Sequence, residues 1–264
     1  MATDSGLYNP LGYNDGSVWP FMTGYVIQAL YRQNRDFAAF QHLSAMASLT
    51  GFAGAGWIPE NFSGDRRQTL PHSVPHQLFS TGVGFIQATM SGMLGLNGDA
   101  TRHRIEFVPQ LPGGWDLVKI KNYRVGDKTV DFTLRRESGR VLFAVDTQAA
   151  DYRLILRGRY NRLPPPNSWQ VGTDTLAHPI RGEIPFVPTI ELLPIMSEPR
   201  PGERQSLPRV IGGGCYAESC MYTFAGRSGS EHELRYRLQG KEASKPLKFP
   251  VSDKEFSTVQ LRVP

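Results

Sequence analysis

The sequence predicts an α+β protein of more than one domain, with a helical part followed by an antiparallel β-sandwich. Residues 20–97 carry apolar side chains at helical spacing, whereas residues after 102 alternate apolar with polar side chains. A chain of 264 residues is long for one domain and suits two. The charge is also divided unevenly, because residues 1–100 have a net charge of −2 and the remainder has +7.

Three helices are predicted in the first part. The first begins at Pro20, because a proline at the first helical position loses no backbone hydrogen bond. We expect Asp36 to cap the second helix. The third begins near His76, ends at the glycines of "GLNGD", and carries an apolar stripe that we expect to pack against other elements, formed by Phe79, Val83, Ile86, Met90 and Leu94.

Short strands are predicted after residue 102. In "TVDFTLRR", Val130, Phe132 and Leu134 face one side and polar residues face the other. Turns are predicted at Gly126-Asp127 and Ser138-Gly139, and this spacing is typical of an antiparallel sandwich over residues 102–198. Residues 199–264 are predicted to begin with a Pro- and Gly-rich linker and to continue as a β-rich tail.

Composition argues against several classes of protein. The basic residues alternate with acidic and apolar ones, as on solvated strand faces, so we expect no nucleic-acid partner. No apolar run reaches the 18 residues of a membrane span, and the first residues lack the features of a signal peptide. The sequence is compatible with both a cytoplasmic and a periplasmic location. Cys215 and Cys220 make a poor zinc signal, and we expect unpaired thiols, with a local disulfide as the alternative.

Two segments concentrate residues suited to sugar binding. Aromatic rings cover the C–H faces of a sugar, while amides and carboxylates bind its hydroxyls. A long segment from Gly54 to Gly82 contains Trp57, Glu60, His72, His76 and Gln77, and an earlier loop contains Tyr13, Asn14, Asp15 and Trp19. Pro75 prevents a regular helical pair of histidine ligands at positions 72 and 76, so no metal site is predicted.

Four motifs in order carry a resemblance to a known family. "YNDGSVWPFMTGY", "WIPENFSGD", "SVPHQLFSTG" and the stretch that begins "MLGLNGDATRHRIEFVPQLPGGW" resemble the C-terminal part of bacterial glycogen-debranching-like (amylo-α-1,6-glucosidase type) proteins, which are related to processing α-glucosidase I and trehalases. The resemblance covers roughly residues 8–135. It implies that residues 1–101 are the last helical hairpins of an incomplete (α/α)6 toroid, followed by a β domain.

The same resemblance implies inverting hydrolysis of α-glucosidic bonds in α-glucans or α-glucosides. Two carboxyl groups about 6.5–9.5 Å apart suffice for this reaction, so no metal or organic cofactor is expected. "PENFSG" matches the family's general-base motif and assigns that role to Glu60, although Asn61 replaces a residue that is usually apolar. The remaining site residues are expected to bind substrate: Tyr13, Asn14, Asp15, Trp19, Trp57, His76 and Gln77.

The family's general acid lies upstream of "GSVWP", so the chain alone is expected to be inactive or nearly so. Asp15 is expected to cap a helix or bind a hydroxyl group rather than act as that acid. One alternative is a non-catalytic carbohydrate-binding or scaffold protein dominated by the β-sandwich, and another is a truncated product without a function.

The resemblance also bears on partners. Without the rest of the toroid, five side chains are expected to be partly uncovered, so the partner would be the missing N-terminal half or a second copy. These side chains are Phe21, Tyr25, Phe79, Val83 and Ile86.

Overall fold

The structure, a computed structural model, combines three helical segments with several small, mostly antiparallel sheets. It describes residues 5–33, 35–112, 115–137, 140–147, 151–156, 169–171, 180–184, 190–193, 202, 207–216, 219–238 and 241–263.

The first two helices follow the predicted pattern with one correction. Helix α1 spans Pro20–Arg32 and has its proline at the first position, as predicted. Helix α2 spans Asp36–Ala47, but Asp36 is its first helical residue and Arg35 occupies the cap position, so the predicted cap is wrong. An acidic side chain in the first turn still interacts favourably with the positive end of the helix dipole. In the described part of the chain no helix has the length and apolarity needed to cross a membrane.

The third helix differs from its prediction in geometry. Helix α3, Leu78–Thr81, continues without a break into a π-helix, here called π1, over Gly82–Met93. The change from i−4 to i−5 hydrogen bonds, as from Leu94 N–H to the Thr89 carbonyl at 2.9 Å, widens each turn. Residues three and four apart therefore no longer form one stripe.

The predicted stripe is accordingly not a single packed face. Phe79 is 63% exposed and Ile86 is 54% exposed, whereas Leu94 is buried. The buried side of π1 instead consists of Gly84, Ala88, Gly92 and Met93. The expectation that Phe21, Tyr25, Phe79, Val83 and Ile86 are partly uncovered is confirmed.

Helices α1 and π1 approach each other at two glycines. A Cβ atom on Gly24 would lie 2.4 Å from the carbonyl oxygen of Val83 and 2.5 Å from the Cα atom of Gly84. A Cβ atom on Gly84 would lie 2.8 Å from the carbonyl oxygen of Pro20. Since these neighbours are backbone atoms, they cannot move aside as a flexible side chain would, and only glycine fits this contact.

Fourteen strands follow in the described residues: β1 (Leu96–Asp99), β2 (Arg104–Phe107), β3 (Leu117–Val125), β4 (Lys128–Glu137), β5 (Arg140–Thr147), β6 (Arg153–Leu156), β7 (Trp169–Val171), β8 (Ile180–Ile184), β9 (Ile190–Leu192), β10 (Arg209–Tyr216), β11 (Ser219–Arg227), β12 (Glu231–Leu238), β13 (Lys241–Lys248) and β14 (Phe256–Val263). They form four sheets with the strand orders β1-β2-β6-β7, β3-β4-β5-β8, β10-β11-β14 and β13-β12-β9. The β2–β6 pair is parallel.

The alternation predicted for β4 is confirmed. Val130, Phe132 and Leu134 are each 1% exposed, and Arg135 is exposed. The predicted turn at Gly126-Asp127 joins β3 to β4, with Gly126 at a φ of 62°. The predicted turn at 138–139 lies outside the described residues.

Two apolar clusters hold these elements together. The first contains residues of the helices, such as Ile27, and of the strands, such as Phe107 and Phe132, whose rings are 4.5 Å apart. The second lies between strands β9–β14 and includes Phe37 of α2. Helix α2 is thus packed against both the helical part and the last strands.

The Gln41 side chain strengthens the contact between α2 and the last strands. Its Nε2 donates to the Pro208 carbonyl at 2.9 Å, and its Oε1 accepts from Val210 N–H at 3.3 Å. The nitrogen and the oxygen of the Gln41 side-chain amide are therefore both hydrogen-bonded to the backbone at the start of β10.

The segment around the cysteines also corrects the sequence analysis. The glycines expected in a linker lie in β10, where a bulge occurs between Val210 and Gly212. Cys220 is buried and disulfide-bonded, so the expectation of unpaired thiols is wrong. The reason is the register, because Cys215 is the direct partner of Cys220 across the β10–β11 ladder.

Candidate functional site

The predicted segment from Gly54 to Gly82 and the chain around the earlier "YNDGSVWP" loop are joined by backbone hydrogen bonds. Val18 and Phe62 exchange N–H···O bonds of 2.8 and 2.9 Å. Gly64 N–H donates to the Pro10 carbonyl at 2.9 Å. A Cβ atom on Gly64 would lie only 2.0 Å from the carbonyl oxygen of Gly16, so the loops are in direct backbone contact. The "YNDGSVWP" and "PENFSG" motifs therefore form one unit.

Glu60 lies at this junction and is half-buried. Its Oε1 accepts a hydrogen bond from the Tyr13 hydroxyl at 2.9 Å, and its Oε2 accepts from Val74 N–H at 3.4 Å. Its backbone N–H donates to the Val74 carbonyl at 2.9 Å. Among the described residues each carboxylate oxygen thus has one donor, and lone pairs remain for a ligand or a water molecule.

Aromatic rings extend from Glu60 along the surface. Tyr13 and Trp19 meet edge to face, with ring centroids 4.7 Å apart. Trp19 Nε1 donates to the Tyr13 carbonyl at 3.2 Å, and this hydrogen bond stabilises the loop. The ring centroid of Phe21 lies 5.8 Å from that of Trp19 and 6.5 Å from that of Phe79. The row of contacting aromatic rings therefore continues onto α1 and α3.

Trp57 and His76, both in the segment from Gly54 to Gly82, form a second pair of contacting rings. Their ring centroids are 5.8 Å apart, the angle between the ring planes is 77°, and both side chains are exposed. Gln77 N–H donates to the Ile58 carbonyl at 3.3 Å, so the two stretches that carry this pair lie side by side. The Gln77 side chain accepts from Phe79 N–H at 3.4 Å and thereby caps α3.

Asn14 and Asp15 are exposed at the tip of the first loop. Within the described residues neither side chain makes a hydrogen bond, while the Asp15 carbonyl accepts from Asn9 N–H at 3.2 Å. The predicted residues therefore fall into three groups: the Tyr13–Trp19–Glu60 cluster, the Trp57–His76 pair with Gln77, and the loop tip.

Hydroxyl side chains that the sequence analysis did not identify support this site. Ser73 Oγ bonds both the N–H and the carbonyl of Asn61, at 3.1 and 3.0 Å. Ser80 Oγ donates to the Glu60 carbonyl at 3.4 Å, and Thr81 Oγ1 accepts from Ile58 N–H at 3.0 Å. These contacts join positions 12 to 23 residues apart, and no local sequence pattern marks them.

The hydrogen bond to Glu60 also affects Tyr13. The pKa of the Tyr13 phenol is raised above its ordinary value, chiefly because its hydroxyl donates to Glu60, with partial burial and the negative charge of Glu60 adding to the effect. A tyrosine is protonated at neutral pH even without a shift of its pKa, and this upward shift keeps Tyr13 a hydrogen-bond donor further into the alkaline range.

Asn61, next to Glu60, is completely buried. Its amide oxygen and nitrogen have no hydrogen-bond partner among the described residues. A buried unsatisfied polar group costs about 1–3 kcal/mol. This asparagine therefore lowers the stability of the segment that presents Glu60.

Replacing Asn61 with leucine, which has the same branching at Cγ, is expected to stabilise the protein by about 1–3 kcal/mol. The reason is that no hydrogen bond is lost while the desolvation cost of the amide is removed. Urea unfolding of the wild type and Asn61→Leu would measure the change. Lower stability of the variant would contradict this expectation, and would mean either that Asn61 has a hydrogen-bond partner such as an internal water molecule or that the larger leucine overpacks the site.

Among the residues that the structure describes, no group of three or more His, Cys, Asp or Glu side chains is arranged to hold a metal ion. Comparison with known proteins gives no match, whether with family models, with curated proteins or with solved structures.

Proposed function

We propose that this chain is the base-bearing part of an inverting glycoside hydrolase that acts on α-glucosides or α-glucans. In this proposal the helices are the last hairpins of an incomplete (α/α)6 toroid, and the strands after residue 102 form a β-sandwich domain. The main support is the environment of Glu60, whose carboxylate is held between two joined loops by Tyr13 and Val74 N–H. The ring of Tyr13, which contacts this carboxylate, packs against the ring of Trp19, and aromatic rings of this kind can cover the C–H faces of a sugar.

In the proposed reaction Glu60 acts as the general base. It takes a proton from a water molecule whose oxygen forms the new bond to the anomeric carbon. The bond from the anomeric carbon to the leaving group breaks on the opposite face, and the leaving group departs with the bonding electron pair. The configuration at the anomeric carbon is inverted, and Glu60 later releases its proton to solvent.

The partner carboxyl group, which protonates a leaving sugar oxygen, belongs by the resemblance to a part of the toroid that precedes "GSVWP". We therefore expect natural glucans such as maltooligosaccharides to be hydrolysed slowly or not at all by this chain. The mechanism needs no metal and no organic cofactor, because two carboxyl groups carry both proton transfers.

A substrate that needs no general acid tests the proposal directly. Fluoride leaves without protonation, so the chain is expected to release fluoride from α-glucosyl fluoride and to form β-glucose. Glu60→Gln is expected to lower this rate by about 100-fold or more, as for loss of a general base. A fluoride electrode measures the rate, and NMR identifies the anomer that forms first.

A matched control separates the role of Glu60 from a general effect of charge. Glu233→Gln removes an exposed carboxylate on β12 and should leave the rate unchanged. Absence of fluoride release from the wild type, or equal rates for the wild type and Glu60→Gln, would contradict the proposal. A wild type that releases no fluoride, together with glucan binding in calorimetry that is undiminished in Glu60→Gln, would instead support the non-catalytic carbohydrate-binding alternative.

A further inference from the structure

Tyr13 contacts the carboxylate of Glu60 from a rigid position. The two residues are 47 positions apart, and the hydroxyl of Tyr13 donates to Oε1 of Glu60 at 2.9 Å. Two side chains bond the Tyr13 carbonyl, namely Ser17 Oγ at 2.6 Å and Trp19 Nε1 at 3.2 Å. The Trp19 ring also packs against the Tyr13 ring. The phenol is thus fixed both through its backbone and through its ring.

The opposite oxygen of the same carboxylate is held independently. Oε2 of Glu60 accepts from Val74 N–H at 3.4 Å, and the Val74 carbonyl accepts from Glu60 N–H. A carboxylate with one fixed donor on each oxygen cannot rotate freely about its last side-chain bond. The direction of its remaining lone pairs is therefore set by Tyr13 and Val74 together.

We propose that Tyr13 is a positioning residue for Glu60, which orients the carboxylate toward the attacking water rather than binding the sugar itself. This inference rests on the proposed function of Glu60 as the base. A general base is effective only when its oxygen is within hydrogen-bond reach of the proton that it removes. Loss of the phenol hydroxyl should therefore slow the chemical step and leave sugar binding almost unchanged.

The test compares Tyr13→Phe with the wild type in hydrolysis of α-glucosyl fluoride. We expect kcat to fall about tenfold while KM changes less than twofold, because the lost interaction affects the transition state and not the bound substrate. Tyr25→Phe is the matched control, since Tyr25 is an exposed tyrosine of α1 and should leave both constants unchanged.

A spectroscopic measurement examines the contact without catalysis. The tyrosinate absorbance of the wild type minus that of Tyr13→Phe isolates the titration of Tyr13, whose pKa is raised by its bond to Glu60. In a Glu60→Gln background the same difference should titrate at lower pH, because the negatively charged acceptor has been removed.

The possible outcomes distinguish the proposal that Glu60 is the general base from the proposal that Tyr13 positions it. An unchanged kcat in Tyr13→Phe, with the wild type active and Glu60→Gln inactive, would overturn the positioning role and leave the base assignment intact. A rise in KM at constant kcat would also overturn it, because Tyr13 would then bind substrate. A Tyr13 titration that is indifferent to Glu60→Gln would show that the contact is absent in solution. A wild type that releases no fluoride would overturn both.

Discussion

Gly24→Ala is expected to destabilise the protein by roughly 3 kcal/mol, a loss at the upper end of the usual range for overpacked sites. The added methyl group would lie 2.4 Å from the Val83 carbonyl oxygen and 2.5 Å from the Gly84 Cα atom. Because both are backbone atoms, α1 and π1 would have to separate along their contact. The gain in helix propensity of about 1 kcal/mol offsets only part of this cost.

Gly82→Ala provides a control with the same chemical change. Gly82 has a helical φ of −70°, and a Cβ atom there would meet no atom within 4 Å. This variant is expected to gain about 0.4–1 kcal/mol, because alanine restricts the unfolded chain. Urea unfolding of both variants measures the two changes, and equal effects would show that the close approach of α1 and π1 is not present in solution.

The second large effect concerns an apolar face on the helices. It is formed by Phe21, Met22, Tyr25, Leu78, Phe79, Val83 and Ile86, and the Phe21–Phe79 ring contact joins its two halves. Leu78 is 69% exposed and the others named in this face are exposed or half-buried. Soluble monomers rarely expose contiguous apolar patches larger than a few hundred Å2, and larger patches mark interaction sites. We therefore expect the chain to form a dimer through this face at micromolar concentration.

Charged substitutions on this face test that expectation. Phe79→Glu combined with Ile86→Glu should raise the dissociation constant at least tenfold, because each carboxylate would be buried without a partner. Ile211→Glu is the control, since Ile211 is 50% exposed but lies on β10. Sedimentation velocity over a concentration series measures the association. A wild type that stays monomeric, with slow hydrogen exchange across all three helices, would contradict the prediction.

Local sequence signals predicted where the helices and strands lie better than they predicted the hydrogen-bond geometry within them. Pro20 marked the start of α1, and the alternation of Val130, Phe132 and Leu134 predicted the buried face of β4. The apolar spacing also predicted the third helix, but that spacing assumes i−4 bonds. In the structure Gly84 and Gly92 lie close to Pro20 and Tyr31 of α1, and such tertiary contacts are not visible in the periodicity of the sequence.

For the candidate site, too, the sequence predicted which residues take part better than it predicted the contacts between them. Residue chemistry identified Tyr13, Trp19, Glu60, Trp57 and His76 as a set suited to sugars. It did not predict that Tyr13 donates to Glu60 itself, because this contact depends on the backbone pairing of Val18 with Phe62. It also favoured unpaired thiols and held the disulfide at Cys220 only as the alternative, because that bond depends on the register of one hairpin.

The parallel pairing of β2 with β6 has a consequence for folding kinetics. Arg104–Phe107 and Arg153–Leu156 are almost fifty residues apart, and strands β3, β4 and β5 lie between them in the chain. Their pairing must close this long segment before any hydrogen bond of the ladder forms, and such non-local contacts slow folding. Strand β1 joins β2 through a short hairpin and continues directly from π1. We therefore expect the β1–β2 hairpin to form early with the helices and β6 to add late. The β5–β8, β9–β12 and β11–β14 pairs are also non-local, and we expect them to slow refolding in the same way.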